Sequence, residues 1–392
     1  MRNSSSLHFL TRLLALGLTF TAVPGLSQPI QLQPGSPLLS GAVTLDVGDY
    51  AIPCATDWNG DGRQDLLVGY RYADKIAVIL NAGSETAPVF YIASNLQAGG
   101  VDIQHPSTGC GAPAPFVCDF DNDGKRDLLV GSGPDGLVYF YRNTSTDSSP
   151  ILAPGVPLMV GSANLTVYSR ATPFVYDWDG DGLKDLLCGD GNGAVNFFKN
   201  VGTTRAPAFA PATQLQAGGV VLNLGMRSIV RMWDWDGDGV EDLVGSSASG
   251  VYWCRNGGTA NAPVLLAPAP VRAPVVTGGL QPINTGARMR LDLLDLNNDG
   301  VIDLLVGNVD GTISYFEGYR FEFTQASMLQ PARCAFQWNS APHLSYHVFG
   351  GASLASSTNL LVTNLPSTGR VTGWTNPPVS ANRGFYRLQI AE

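Results

Sequence analysis

The chain has 392 residues, only 14% of them charged, with 46 glycines, 26 prolines and a formal net charge of −9. That length exceeds one ordinary core, and the glycine and proline content suits many short strands joined by tight turns rather than long helices. The acidic balance also argues against a nucleic-acid partner, whose phosphates attract basic surfaces.

Residues 1–27 read as a secretory signal. Arg2 and Arg12 flank a polar start, Leu13 to Val23 form a short apolar run, and Gly25-Leu-Ser27 offers small residues for cleavage. The run is shorter than the ~20 apolar residues a membrane span needs, and no later segment is long enough either. The expected location is therefore secreted or cell-surface, where disulfides are permitted. Six cysteines stand at 54, 110, 118, 188, 254 and 334. Cys188 takes the place of Val68, Val130 and Val306 in sister repeats, and Cys254 that of Tyr141 and Phe198, so both read as core residues. Cys54 could pair with Cys110 or Cys118, and no bridge is assigned.

Residues 28–319 repeat one pattern five times. Asp57-Trp-Asn-Gly-Asp-Gly-Arg-Gln-Asp-Leu-Leu-Val-Gly69 returns from Asp119, Asp177, Asp234 (one residue shorter) and Asp295, with first aspartates 62, 58, 57 and 61 residues apart. An apolar run leads into each acidic loop, Leu-Leu-Val-Gly leaves it, an alternating strand such as Leu137-Val-Tyr-Phe-Tyr141 follows, and a Pro-marked stretch starts a fourth strand. Four strands per repeat form the blade of a β-propeller. The fifth repeat stops after its third strand near Gly318, while Ile30 to Val47 supply surplus strands at the front. That surplus is predicted to fill the last blade and close a five-bladed ring without exposed edges. Residues 320–392 carry no acidic loop. Their strand-like runs, from Cys334-Ala-Phe-Gln-Trp338 to Phe385-Tyr-Arg-Leu-Gln389, suit a small β-sandwich, which resembles fibronectin-type-III-like modules. The expected fold class is all-β, a five-bladed propeller followed by that sandwich.

The acidic loops place oxygens at positions 1, 3, 5 and 9, with glycine at 6 for a sharp turn and a carbonyl at 7, a donor set for a hard cation. An EF-hand would put a bidentate Glu at position 12, where these loops hold Val68, Val130, Cys188, Gly245 and Val306. The pattern instead resembles the FG-GAP or VCBS repeats of integrin alpha-subunit propellers and of bacterial exported proteins, and the resemblance spans roughly residues 30 to 318. It implies calcium, about five ions, on residues carried over one by one. In the first loop they are Asp57, Asn59, Asp61, Asp65 and the carbonyl of Arg63; in the second, Asp119, Asp121, Asp123, Asp127 and the carbonyl of Lys125. The third offers Asp177, Asp179, Asp181, Asp185 and the Leu183 carbonyl; the fourth, Asp234, Asp236, Asp238, Asp242 and the Val240 carbonyl. The fifth offers Asp295, Asn297, Asp299, Asp303 and the Val301 carbonyl. A clear Phe-Gly…Gly-Ala-Pro frame is missing, so integrin-type partners are not implied. The ligand positions of the loops hold 18 of the 32 acidic residues, and solvated turns of that density would leave like charges with nothing to offset them. Without the leader's two arginines the net charge is −11, which five calcium ions would bring to about −1.

No nucleophile elbow, paired-cysteine metal site or phosphate loop occurs. Beyond the leader the histidines are His105, His343 and His347, and most carboxylates belong to the loops, so acid–base catalysis has few candidates. Seven residues before each first aspartate stand Tyr50, Ala112, Arg170, Arg227 and Arg288. The three arginines share one register at the start of the innermost strand, on the face opposite the acidic loops. Converging guanidiniums there suit a carboxylate or sulfate on a glycan or peptide; alternatively they pair with Asp190, Asp292 or Asp310. The whole reads as a secreted calcium-binding recognition or adhesion module for glycan or protein ligands, with no catalytic residue assigned. The alternatives are a glycan-active lyase or hydrolase on the same scaffold, or a purely structural surface protein.

Overall fold

The structure, a computed structural model, describes residues 6–14, 17–22, 29–105, 112–321, 323–329, 333–351, 359–375 and 384–391. Among the described residues every regular element is a strand. Cys110 and parts of the expected leader lie outside them. Within the leader segment, Ser6–Leu14 and Gly17–Ala22 are paired strands, and Ser6–Leu14 lies antiparallel to Gly384–Ile390.

Consecutive strands of each repeat pair antiparallel, and in the first repeat the sheet extends to six strands with Phe90–Asn95 parallel to Leu39–Ser40. The first strands, Ile52–Thr56, Ala114–Cys118, Thr172–Tyr176, Ile229–Trp233 and Arg290–Leu294, end where the acidic loops begin. The second strands, such as Asp127–Gly131 and Asp185–Gly189, are buried along their whole length. That burial explains why Asp-Leu-Leu-Val-Gly is continuously apolar after its aspartate, where a half-exposed strand would alternate. Third strands such as Val138–Tyr141 are buried at both ends and half-exposed between them. The first strands touch one another in cyclic order, and Arg290–Leu294 reaches back to Ile52–Thr56.

The fifth sheet takes its fourth strand from the other end of the chain. Ser36–Pro37 runs antiparallel to Ile313–Phe316, with Tyr315 opposite Ser36, and Gln31–Leu32 pairs with Gly318–Tyr319. Each repeat also carries a short hairpin that the strand grammar did not foresee, for example Gln97–Ala98 with Val101–Asp102 and Gln216–Ala217 with Val220–Val221.

Neighbouring sheets meet at a glycine. A Cβ on Gly131 would lie 1.9 Å from the carbonyl oxygen of Ala171, and one on Gly307 would lie 2.2 Å from that of Ala51. The glycine that ends Leu-Leu-Val-Gly is thus required by the next sheet's backbone and not by its own turn. The fourth repeat has Ser246 there, and its hydroxyl is accommodated by donating to the Met289 carbonyl at 3.1 Å and accepting from the Leu291 amide at 3.1 Å.

Beyond the repeats, Phe323–Leu329, Arg333–Asn339 and Val371–Thr375 form one sheet, and Ser345–Gly351, Asn359–Pro366 and Gly384–Ile390 belong to another. Phe336, Trp338, Tyr346, Val348, Leu388 and Ile390 share one core, to which Tyr319 and Phe321 also belong. Arg370 pairs with Glu317, and Gln33 donates to the Ser340 carbonyl at 3.2 Å, tying this unit to the repeats.

Candidate functional site

All five acidic loops have one backbone geometry. The first aspartate, Asp57, Asp119, Asp177, Asp234 or Asp295, accepts the amides of positions 5 and 6 at 2.8–3.1 Å. The position-5 aspartate, Asp61, Asp123, Asp181, Asp238 or Asp299, accepts the amide of position 7 (Arg63, Lys125, Leu183, Val240, Val301). The chain turns at position 4 with positive φ, which Gly60, Gly180 and Gly237 adopt freely and Asn122 and Asn298 tolerate.

The position-9 aspartates, Asp65, Asp127, Asp185, Asp242 and Asp303, are wholly buried. Each accepts a backbone amide from the end of the third strand, Asn81, Asn143, Asn200, Asn256 or Gly318, at 2.6–2.8 Å. Burial pushes Asp127, Asp185 and Asp242 up to about 6 and Asp303 to about 7. Asp65 is raised for the same reason. Carboxylates at positions 3 and 5 add to the rise, and the backbone amides oppose it.

These residues fit a cation. Oxygens of Asp119, Asp121 and Asp127, of Asp177, Asp179 and Asp185, and of Asp234, Asp236 and Asp238 lie within 4.8 Å of one another in each set. Asp121 Oδ1 and Asp179 Oδ1 are buried and accept no hydrogen bond, which leaves each of them a lone pair that a metal could take. Asn59 and Asn297 at position 3 give the first and fifth loops one carboxylate fewer.

The expectation that nothing offsets the loop charges is corrected by the structure. Arg142 reaches Asp121 at 2.8 Å and Asp123 at 3.0 Å, Lys199 pairs with Asp179 and Asp181, and Arg255 reaches Asp236 at 2.6 Å and Asp238 at 2.9 Å. Each cation stands one residue before the asparagine whose amide the position-9 aspartate holds. That register was visible in the sequence, as an Arg or Lys just past the third strand. In the first loop Arg63 pairs with Asp61, and the fifth repeat has Glu317 at the equivalent place, paired with Arg370.

On the opposite side of the ring, Arg170, Arg227 and Arg288 stand with Tyr50 in the same register, and all four have positive φ, between 50° and 66°. Five strand residues separate this face from the acidic loops, roughly 17 Å at a strand's usual rise. Arg227 and Arg288 lie 5.7 Å and 4.4 Å from the Tyr50 ring centroid, and Arg71 sits over the same ring at 4.3 Å. The structure therefore brings the three arginines together. It does not pair them with Asp292, which holds Arg231 Nε at 2.5 Å and the Ala55 amide at 2.6 Å. Nor does Asp190 serve them: it accepts the amides of Asn192, Gly193 and Ala194. The Arg231–Asp292 pair is almost fully buried beside Phe116 and Phe174. Its polar residues interrupt apolar inner strands, the one signal of it in the sequence.

The other candidates are structural. Cys188 and Cys254 are buried in the core as expected, Cys54 and Cys118 are free thiols, and burial pushes Cys54, Cys188 and Cys254 up to about 12. His105 hydrogen-bonds Tyr141 at 2.8 Å inside the protein, and His347 Nδ1 accepts the Asn364 amide at 3.3 Å.

Repeated four-stranded sheets joined by oxygen-rich loops define an all-β repeat protein with a propeller-like arrangement. Residues 177–244, from the third acidic loop into the second strand of the fourth sheet, match the FG-GAP-like repeat family. It is 27% identical to integrin alpha-4 of Xenopus laevis over 155 residues, covering 36% of this chain and 14% of that protein. The chain thus spans a small part of that relative's length. Among solved structures it is similar to a GH43_1 enzyme from Xanthomonas citri complexed with xylose, at 12% identity and TM-score 0.47, covering 74% of this chain and 91% of that one. An Agrocybe aegerita lectin that recognises non-reducing terminal N-acetylglucosamine is similar at 14% identity and TM-score 0.34, covering 95% of each chain. Among the described residues, no helix is long and apolar enough to cross a membrane.

Proposed function

We propose that the chain is a secreted, calcium-loaded, five-bladed β-propeller over residues 28–319, with a β-sandwich module over 320–392, acting as a non-catalytic recognition module for a glycan or protein ligand. The calcium ions stabilise the loops on one face, and the arginine face binds. The observation that carries the reading is the grouping of Arg227 and Arg288 at the Tyr50 ring, with Arg170 lining the same cavity as Tyr50 and Arg227. Calcium is supported by the unpartnered oxygens of Asp121 and Asp179 and by buried carboxylates whose charged form burial and neighbouring carboxylates disfavour.

A glycan and protein array probed with calcium-loaded protein and with Arg227→Ala tests the reading. The expected result is binding of acidic ligands that falls as salt rises and is lost in the variant, with melting unchanged. Equal binding by the variant would sink it. Cleavage of a bound polysaccharide would replace it with the glycan-active enzyme. Metal analysis of dialysed protein should return about five calcium ions per chain, one per loop.

A further inference from the structure

Every acidic loop has a side-chain donor on one atom, the Oδ2 of its position-5 aspartate. In the first and fifth loops the donor is the position-3 asparagine: Asn59 Nδ2 donates to Asp61 at 2.9 Å and Asn297 Nδ2 to Asp299 at 3.0 Å. In the other three loops position 3 is Asp121, Asp179 or Asp236, and an ionised carboxylate has no proton to donate. A cation just past the third strand takes over there. Arg142 donates to Asp123 Oδ2 at 3.0 Å, and Lys199 and Arg255 donate to Asp181 Oδ2 and Asp238 Oδ2, both at 2.9 Å. The same three cations also hold Oδ2 of position 3, with Asp121 at 2.8 Å, Asp236 at 2.6 Å, and Asp179 held by Lys199. The two repeats with asparagine at position 3 carry Leu80 and Glu317 where the cation would stand, so one donor replaces the other. Arg63, at position 7, adds a further donor to Asp61 in the first loop.

We propose that Arg142, Lys199 and Arg255 are built-in counter-charges that keep three of the loops folded while they hold no calcium. The proposal rests on the calcium reading. Two carboxylates bridged by one cation carry a single net charge, the same as an asparagine beside one aspartate. An aspartate at position 3 with its Arg or Lys is therefore electrically equivalent to the asparagine of the first and fifth loops. All of these side-chain donors engage Oδ2. Oδ1 of Asp121 and of Asp179 takes no hydrogen bond, and Oδ1 of Asp123 and of Asp181 takes only the amide two residues on. The carboxylates are thus gathered before an ion arrives, and an ion can leave without the loop opening. Arg142, Lys199 and Arg255 fill one role with two different head groups, as expected where charge matters more than the shape of the guanidinium. The cations also lower the affinity for calcium. They repel the ion and stabilise the empty loop, two effects of the same sign.

Melting of the full chain, measured by calorimetry in chelator and in saturating calcium, tests the proposal on Arg142→Met and on the triple variant with Lys199→Met and Arg255→Met. In chelator the single variant should melt roughly 1–3 °C below the wild type and the triple variant roughly 3–9 °C below it. In calcium both should melt within about 1 °C of the wild type, because the ion itself then offsets the carboxylates. Calcium titration should show the altered loops binding roughly tenfold more tightly. In an Asp121→Asn background, Arg142→Met should lower the chelator melting temperature no further, because the new amide supplies the donor as Asn297 does. Equal losses with and without calcium would make the cations structural supports only and overturn the proposal. So would an equal loss in the Asp121→Asn background, or calcium bound more weakly by the triple variant. A wild type whose melting calcium leaves unchanged would instead remove the calcium reading itself, and the chelator comparison would still judge the donors.

Discussion

Gly307→Ala tests the joint between the last sheet and the first. The added Cβ would stand 2.2 Å from the Ala51 carbonyl oxygen, 2.9 Å from its carbon and 3.0 Å from its Cβ. Ordinary contact needs about 3.5 Å, so the two strands must part by roughly 1 Å. The obstacle is backbone and cannot rotate away, which puts the cost toward the upper part of the roughly 1–3 kcal/mol seen for overpacking. The neighbouring bond from the Ala51 amide to the Asn308 carbonyl, 3.0 Å long, would stretch as well, at about 1 kcal/mol. A total of roughly 2–4 kcal/mol predicts a melting temperature lower by roughly 4–16 °C. Calorimetry in saturating calcium measures it, with Gly257→Ala as control, because a Cβ there meets nothing closer than 3.4 Å. Equal melting temperatures for the two variants would refute the interlocked ring.

In metal-free protein, Asp127, Asp185 and Asp242 at about 6 and Asp303 at about 7 exceed their ordinary 3.8, so the folded state binds more protons than the unfolded one between those values. Their stabilising contribution is present below about 3.8 and is lost as pH rises through 6–7; chelated protein should melt lower at pH 8 than at pH 5, and calcium should rescue it more at pH 8. Asp292→Ala strands a buried Arg231 and should cost roughly 3–5 kcal/mol in chemical denaturation, whereas Arg231→Met with Asp292→Leu should come close to neutral; equal losses would count against a desolvation-dominated pair. Deleting residues 28–47 removes Ser36–Pro37 from the fifth sheet and should cause aggregation visible by light scattering, and a soluble, equally stable product would contradict the closure.

Much of this structure was legible because each repeat states its instructions locally. The loop aspartates, the buried Leu-Leu-Val run and the surplus N-terminal strand are properties of spacing and hydropathy. What escaped depends on contacts between repeats. Arg142, Lys199 and Arg255 lie 17–21 residues from the carboxylates they neutralise, and only the overlay of repeats shows their common register. Arg231 and Asp292 come from adjacent sheets and meet only when the ring is assembled. Asp147, which no repeat spacing singles out, accepts the Arg126 amide at 2.7 Å and pairs with that guanidinium at 3.3 Å.

The borrowed strand has a cost in time. Ser36 and Tyr315 are 279 residues apart in the chain, against some 15 for a hairpin within one repeat. Loop-closure entropy makes the long contact roughly 2.6 kcal/mol harder to form. On the ribosome, at about 5–20 residues per second, four sheets can assemble while the N-terminal segment waits unpaired for tens of seconds. Until Ile313–Phe316 emerges, that segment is an apolar strand without a partner, available to any neighbouring chain. The strand that completes the fifth sheet is therefore also the one that protects a segment made long before it.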